Sequence, residues 1–195
     1  MDVRRRGRGR RPAAEVRDDI LTAAGKLLID EGMAAFTIER VALEAGASKT
    51  TIYKWWRSKG ALALDGYFHA VESTLAFPDT GDIEADLSSQ VRAFVHLLTE
   101  TPAGRVIAEL AGQAQTDPDL ATALRERYTV PRRRLAVEVM ERARSRGQLR
   151  GDVDFEVVVD QLWGACYHRL LLPAEPLNDQ FAVELVRNVL RGIRA

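Results

Sequence analysis

The segment from residues 47 to 64, ASKTTIYKWWRSKGALAL, places many hydrogen-bond donors and flat aromatic side chains on one short predicted helix. Its first turn offers a lysine and two threonines, the kind of short or flexible donors with which a helix in a major groove reaches base edges. Later positions offer a phenolic hydroxyl, an indole N–H and an ammonium group, which suit phosphates. The candidate contacts to double-stranded DNA are Lys49, Thr50, Thr51, Tyr53, Trp55 and Lys59.

Three helices that could position these donors are indicated by apolar periodicity and capping residues. A first helix begins near Ala14 and stops at Gly32. Thr37 is the predicted N-cap of a two-turn second helix that Gly46 ends, and Ser48 caps the third helix two residues later. Two short capped helices around a glycine turn are the outline of a helix-turn-helix.

The third helix is predicted to have a buried and an outward face. Ile52 and Trp56 are four residues apart and share the face expected to join the core, whereas Trp55 either contacts phosphate or packs beside them. Thr37 and Ser48 stand at helix N-termini, where the dipole and free amides favour phosphate. Both therefore join the candidate DNA contacts.

The N-terminus is strongly basic although the whole chain has no net charge. Residues 1–60 hold 13 Lys and Arg against 8 Asp and Glu, a net +5, so residues 61–195 carry a net −5. Residues 1–12 are predicted to form a disordered arm, either a solubilising tail or an arm that reaches the minor groove or phosphates. The arginines proposed for this contact are Arg4, Arg5 and Arg6.

The rest of the chain is predicted to be helical, with no period-2 strand pattern. The fold class is all-α with about nine helices: a helix-turn-helix domain over residues 13–60 and a ligand-binding and dimerisation bundle over 61–195. The further helices are predicted at Ala61 to Ala76, Ile83 to Thr101, Ala103 to Thr116, Pro118 to Gly147 with a break at Val130-Pro131, Asp154 to Leu172, and Asn178 to Arg194.

The last two predicted helices are apolar on two sides and must therefore be covered on two sides. Too few helices remain in the chain to cover both, which indicates a four-helix bundle formed with a second copy across a two-fold axis. The interface candidates are Val158, Leu162, Leu185 and Val189.

A ligand pocket inside the bundle would need large apolar walls and a few polar groups. Plain core packing is the alternative for each candidate, and PRRR at residues 131–134 is interpreted as an exposed helix turn. The pocket candidates are Phe94, Leu97, Leu98, Leu110, Gln113, Tyr128, Trp163 and Tyr167.

Several other classes of protein are disfavoured by the sequence. The three histidines have no metal-ligand spacing and no phosphate-binding glycine loop is visible, so neither a metal nor another cofactor is expected. A thiol enzyme would use Cys166 with His168, but residues two apart on a helix point to different faces. No secretory signal and no membrane-length apolar run is found, which favours a cytoplasmic, non-enzymatic protein without a membrane partner.

The stretch from Ile20 to Leu64 resembles the DNA-binding domain of the tetracycline-repressor (TetR) family of bacterial transcriptional regulators. The sequence departs from the family pattern at Thr50, Trp55 and Trp56, where glycine, histidine and phenylalanine are usual. The matching residues are Ile20, Leu21, Ala23, Ala24, Leu27, Gly32, Thr37, Val41, Ala42, Ala45, Gly46, Ser48, Ile52, Tyr53, Trp56, Ser58, Lys59 and Leu62.

This resemblance implies a homodimer, a palindromic operator and a C-terminal domain whose small-molecule effector releases the DNA. The segment from Arg146 to Asp179 also resembles, more loosely, a C-terminal type common among actinobacterial members. The function expected is that of a ligand-responsive repressor. A DNA-binding regulator controlled by a protein instead of a small molecule remains the alternative.

Overall fold

The computed structural model describes residues 11–172 and 174–195. Within these ranges the regular structure is helical, apart from one isolated bridge between Leu149 and Arg194. No helix among them is both long enough and apolar enough to cross a bilayer. The N-terminal part consists of α1 (Ala13–Ala35), α2 (Ile38–Glu44) and α3 (Lys49–Trp55).

The C-terminal part contains four separate helical rods and two that pass through π-helical turns. With each rod counted once, the described residues form nine helices, which confirms the predicted all-α fold. The straight helices are α4 (Lys59–Val71), α5 (Ile83–Glu100), α6 (Pro102–Ala114) and, at the C-terminus, α11 (Asp179–Ile193). The interrupted rods are α7 (Pro118–Leu124), the turn Arg125–Thr129 and α8 (Val130–Ser145), then α9 (Phe155–Val159), the turn Asp160–Gly164 and α10 (Ala165–Leu171).

The caps that define the helix-turn-helix are those predicted from sequence. The Thr37 hydroxyl accepts the Arg40 N–H at 3.2 Å, and the Ser48 hydroxyl accepts the Thr51 N–H at 3.1 Å. Gly46 has a φ of 60°, which a residue with a side chain rarely adopts. These local interactions confirm both N-caps and the turn between α2 and α3.

The predicted helix from Ala61 to Ala76 is shorter in the structure, because α4 ends at Val71 and a turn follows it. The Leu75 carbonyl is occupied by two side-chain donors, the Gln90 amide at 3.0 Å and the Arg132 guanidinium at 2.8 Å. These donors from α5 and α8 hold the chain in a turn, so the helical prediction for the last residues was wrong.

The predicted break at Val130-Pro131 is also absent. The Val130 N–H bonds to the Arg125 carbonyl five residues back, so the helix widens by one residue just before the proline. Proline lacks an N–H and crowds the preceding turn, and the wider turn accommodates it. The rod therefore continues through Pro131 into α8.

Helices α1 and α4 cross at two glycines and are nearly in backbone contact. A Cβ on Gly25 would lie 2.6 Å from the Gly66 carbonyl oxygen, and one on Gly66 would lie 2.7 Å from the Ala24 Cβ. Helix α4 also packs against α7 and its π-helical turn, while α5 packs against α11. The first and fourth helices therefore form one tightly packed unit between α3 and the bundle.

We expect Gly66→Ala to lower the free energy of unfolding by about 1–3 kcal/mol, the usual cost of overpacking a core. Gly112→Ala is the matched control, since Gly112 lies in α6 and an added Cβ there meets nothing within 4 Å. That change should raise the free energy by about 0.4–1 kcal/mol. Urea denaturation of both variants checks this, and equal effects would contradict the close crossing.

Candidate nucleic-acid interface and internal cavity

Helix α3 divides into a buried and an exposed face. Ile52 and Trp56 are 0% and 1% exposed and pack in the N-terminal core, as predicted. The side chains on the other face point to solvent. These exposed positions of α3 are Lys49, Thr50, Tyr53 and Lys54.

The polar candidates in this module differ in how far they are already engaged. Ser48 and Thr51 bond to each other, with their hydroxyl oxygens 2.8 Å apart. Lys49 Nζ lies 3.0 Å from a carboxylate oxygen of Glu39, and this hydrogen bond lowers the pKa of Glu39. Exposed pairs of this kind are weak, so phosphate or base edges compete for the lysine easily.

Lys59 and Trp55 flank the exposed face of α3. Lys59 is exposed at the first residue of α4, and no carboxylate of the described residues lies within 4.0 Å of its ammonium group. Trp55 is half-buried, with its ring edge-to-face on Trp56 at 5.7 Å, so it packs against the core and remains partly exposed. Of the predicted arm, Arg4, Arg5 and Arg6 lie outside the described residues.

Helix α2 is fixed to α1 by an arginine that the sequence analysis did not single out. The Arg40 guanidinium donates to both oxygens of Glu31, at 2.7 and 2.5 Å. This hydrogen-bonded pair lowers the pKa of Glu31. Arg40 therefore holds the orientation of α2, and through it the turn that presents α3.

An internal cavity of about 310 Å³ lies in the bundle, within the range of small-molecule sites. Both π-helical turns contribute to its wall, through Tyr128 and Thr129 in one and Asp160, Trp163 and Gly164 in the other. Four predicted pocket residues line it: Phe94, Tyr128, Trp163 and Tyr167. Lining residues that the sequence analysis missed include Phe77, Ile107, Ala111, Leu124, Arg132, Arg133 and Val159.

The other four pocket candidates do not line this cavity, and their assignment was wrong. Leu97, Leu98 and Leu110 are buried in the core, whereas Gln113 is exposed. The first two lie near the tight turn into α6, where Gly104 packs against the Leu98 backbone and closes that end of the bundle.

The cavity wall has an aromatic network that reaches α4. Tyr128 and Tyr167 place their hydroxyl oxygens 3.2 Å apart, and the Tyr128 ring contacts Tyr67 and Phe68 of α4 edge-to-face, at 5.9 and 6.3 Å. Burial raises the pKa of Tyr67, Tyr128 and Tyr167, so their hydroxyls stay protonated. Atoms that line the cavity are thus in direct contact with the helix that follows α3.

A second contact joins the same cavity wall to the end of α3. The Oδ2 atom of Asp65, in α4, accepts the Trp56 indole N–H at 2.7 Å and the Arg127 guanidinium at 2.6 Å. Its side chain is only 13% exposed, so both bonds are largely shielded from water. Arg127 directly precedes Tyr128 in the π-helical turn of the cavity wall. Through Asp65, Arg127 therefore links this turn to Trp56, the C-cap of α3.

Both halves of the chain match protein-family models. The model for bacterial regulatory proteins of the tetR family matches residues 20–65, and the model for the tetracyclin repressor-like C-terminal domain matches residues 77–189. The chain belongs to the TetR family of bacterial transcriptional regulators. The resemblance seen in its helix-turn-helix is thereby confirmed.

TetR-family relatives match most of the chain. The uncharacterized HTH-type transcriptional regulator YdeS of Bacillus subtilis is 37% identical, over 90% of this chain and 88% of its own length. The DNA-binding transcriptional repressor TetR of Mycobacteroides abscessus is 31% identical, over 88% and 90%. The crystal structure of the TetR family transcription regulator SCO0332 is 63% identical, with a TM-score of 0.87 over 91% of this chain and 98% of its own.

Membership of the TetR family makes this chain a DNA-binding transcriptional regulator and not an enzyme. The thiol proposed for a rival enzyme is in a core position, because Cys166 is 0% exposed. Burial raises the pKa of this thiol, the opposite of what activates a nucleophilic cysteine.

Two of the four predicted dimer contacts lie inside the single chain. Val158 and Leu162 are 2% and 0% exposed, so they have no surface left for a partner, and that assignment was wrong. Leu185 and Val189 of α11 are half-buried at the edge of the core, and Val157 of α9 is exposed. The apolar side chains of α9, α10 and α11 that keep some exposed surface include Val157, Leu171, Leu185 and Val189.

Proposed function

We propose that this TetR-family chain is a homodimeric repressor that binds a palindromic operator and is released from it by a small molecule in the cavity. The observation that carries the proposal is that Asp65 accepts two hydrogen bonds, one from Trp56 at the end of α3 and one from Arg127 beside the cavity wall. A ligand that moves the π-helical turn would act on the recognition helix through these two hydrogen bonds.

Operator contact is assigned to the exposed face of α3 and its flanks. Lys49 and Thr50 suit base edges, while Tyr53, Lys59 and the N-termini of α2 and α3 suit phosphates. Arg4, Arg5 and Arg6 of the arm at residues 1–12 are proposed to reach the minor groove. In this scheme residues 13–60 bind DNA, residues 61–195 bind the ligand and the partner, and the protein acts in the cytoplasm.

The dimer surface is assigned to the outer faces of the α9–α10 rod and α11. Leu185 and Val189 are one turn apart on α11 and lie beside its buried stripe, which includes Ala182, Val186 and Leu190. Helix α11 packs on α5 within the chain. Burying the half-exposed stripe against its symmetry mate would form a four-helix bundle. This pairing carries two α3 helices to one DNA duplex, which accounts for a palindromic site.

Selection of bound sequences from a randomised DNA library tests the DNA-binding half of the proposal. A two-fold symmetric motif with half-sites about one helical turn apart is expected. Titration of that operator with a ligand found by thermal-shift screening tests the other half. A motif without symmetry would contradict dimeric binding, and stabilising ligands that leave operator affinity unchanged would favour control by a protein partner.

Replacement of Lys59 with alanine should weaken binding to all DNA sequences about equally. Removal of one phosphate interaction is expected to reduce the slope of log affinity against log salt by about 0.9, or roughly 2 for a dimer. Lys26→Ala is the matched control, since Lys26 is an exposed lysine in the middle of α1, outside α2, α3 and the start of α4. Operator titrations at several salt concentrations distinguish the variants, and equal slopes would exclude Lys59 from the interface.

Replacement of Arg127 with methionine should strongly reduce the effect of ligand on operator affinity. It should change the operator affinity of the ligand-free protein much less. The bond from Trp56 to Asp65 remains available in this variant, and Arg17, whose guanidinium lies 3.9 Å from the same carboxylate, still provides a positive charge beside it. Coupling between two sites is typically about 1–3 kcal/mol, or 5- to 150-fold in affinity. We expect Arg127→Met to remove most of that factor in titrations with and without ligand.

The control for this variant lies in the same π-helical turn. The Arg125 side chain is exposed and pairs with its neighbour Glu126 at 2.9 Å. Arg125→Met should therefore leave both operator affinity and ligand release unchanged. Equal release by the Arg127 and Arg125 variants would contradict transmission through Asp65.

A further inference from the structure

The cavity wall contains one positive charge that forms no salt bridge with an acidic side chain of the described residues, and Glu72 acts on it only from a longer distance. Arg132 is half-buried, with its guanidinium 2.8 Å from the Leu75 carbonyl and 5.1 Å from the centre of the Phe77 ring. No carboxylate in the described part of the chain lies within 4.0 Å of it. Burying a charge without a partner is costly, which makes this position unusual for a purely structural arginine.

The neighbouring arginine of the same wall shows the contrast. Arg133 is paired with Asp160 and also, at 2.7 Å, with Glu156, and the hydrogen bonds of these pairs raise its pKa. Burial instead lowers the pKa of Arg132. One of the two cavity arginines is therefore neutralised within the protein, and the other offers its charge to whatever enters the cavity.

Phenolic hydroxyls beside Arg132 add further donors. Tyr128 and Tyr167 bond to each other, so one of the two protons is left to donate elsewhere. Tyr67, whose ring packs on Tyr128, is fully buried, and its hydroxyl has no hydrogen-bond partner among the described residues. Tyr67 does not itself line the cavity, so the hydroxyls that a ligand there can meet are those of Tyr128 and Tyr167.

We infer that the cavity binds an apolar, ring-containing monocarboxylic acid whose carboxylate meets Arg132 and the hydroxyls of Tyr128 and Tyr167. The planar guanidinium fork matches a carboxylate in geometry and charge. Phe77, Phe94 and Trp163 supply aromatic surfaces for the rings, and a cavity of about 310 Å³ accommodates a small ring system. This inference rests on the proposed function in taking the cavity as the effector site, and it adds the chemical class of the effector.

The test compares acids with their uncharged amides on the full-length protein. Isothermal titration calorimetry would use benzoate, 3-phenylpropanoate, 1-naphthylacetate and 4-biphenylcarboxylate, each beside its primary amide. Charge-assisted hydrogen bonds contribute about 1.5–3 kcal/mol, so at least one acid should bind about 10- to 100-fold more tightly than its amide. Amides that bind as tightly as the acids, or a series in which no acid binds, would overturn the inference.

The variant Arg132→Met tests whether the charge of Arg132 causes the preference for acids over amides. This variant should lose the preference for acid over amide while it keeps the affinity for the amide. The control Arg134→Met removes an exposed arginine two residues along α8, which pairs with Glu138, and should retain the preference. A preference that survives in Arg132→Met would overturn the assignment. Should that variant not fold, Tyr167→Phe keeps the ring and should weaken the acid several-fold but not the amide.

The same acids added to operator titrations separate this inference from the proposed function. Acids that bind but leave operator affinity unchanged would support the carboxylate site and contradict release by ligand. A neutral ligand that releases the operator, in a protein that binds none of the acids, would support the repressor and overturn the carboxylate site.

Discussion

Replacement of Leu185 with glutamate is expected to convert the dimer into a monomer and to lower operator affinity by at least about 100-fold. Leu185 lies on the half-buried stripe of α11 that a second copy would cover. A carboxylate placed there would be buried without a partner, which costs several kcal/mol. A monomer also reaches only one half-site. Light scattering over a range of protein concentrations gives the mass, and operator titration gives the affinity.

Two further glutamate variants make this result specific. Leu43 is 82% exposed on α2, so Leu43→Glu should leave the mass of the dimer unchanged. Leu162 lies in the core of the single chain, so Leu162→Glu should unfold the protein instead of dissociating a folded dimer. A Leu185→Glu protein with the mass of a dimer at low concentration would contradict the proposed interface.

Replacement of Trp56 with alanine is expected to lower the free energy of unfolding by about 3–5 kcal/mol, the usual cost of removing a buried aromatic side chain. The indole is almost fully buried, Arg17 lies over its ring at 5.5 Å, and its N–H bonds to Asp65. Urea denaturation at a fixed protein concentration measures the loss. The concentration is held constant because the stability of a dimer depends on it.

Trp56→Phe separates the ring from its hydrogen bond. Phenylalanine keeps an aromatic ring in the core and removes the N–H, while Asp65 keeps its bond to Arg127. We therefore expect a cost of about 1.5–3 kcal/mol, the typical value of a hydrogen bond to a charged group. A loss below about 2 kcal/mol for Trp56→Ala would contradict a core role for this tryptophan.

The helix-turn-helix could be predicted in detail because its determinants are local. Thr37 and Ser48 cap helices within three residues of themselves, and Gly46 makes a turn that needs a positive φ. The four-residue spacing of Ile52 and Trp56 indicates the buried face of α3. Each of these signals lies within one or two turns of the chain, where sequence spacing and distance in space correspond.

The cavity could be predicted only in part, because residues that line a cavity and residues that fill a core share the same apolar period. Phe94 and Leu97 both belong to the apolar stripe of α5, yet only Phe94 lines the cavity. The PRRR segment is not the exposed turn that its sequence suggests, since Arg132 and Arg133 line the cavity and only Arg134 remains exposed. Which of three adjacent arginines faces inward depends on the neighbouring rods.

The dimer surface could also be predicted only in part, because the necessary information lies in contacts between distant parts of the chain. The last helices are apolar on two sides, as predicted, but sequence alone does not tell which side each helix turns toward its own chain. Val158 and Leu162 face inward. Their orientation follows from the packing of α9 on α8 and of the following turn on α11, which are contacts between distant parts of the chain.

The two π-helical turns bear on how such a protein diverges during evolution. Each turn holds one residue more than a regular helical turn, and one residue corresponds to a rotation of about 100° around a helix axis. The turns lie at Tyr128 and Trp163, in the wall of the cavity. A descendant that lost or gained one residue there would turn a different set of side chains toward the effector while α3 kept its place, so ligand preference can change by a shift of register as well as by substitution.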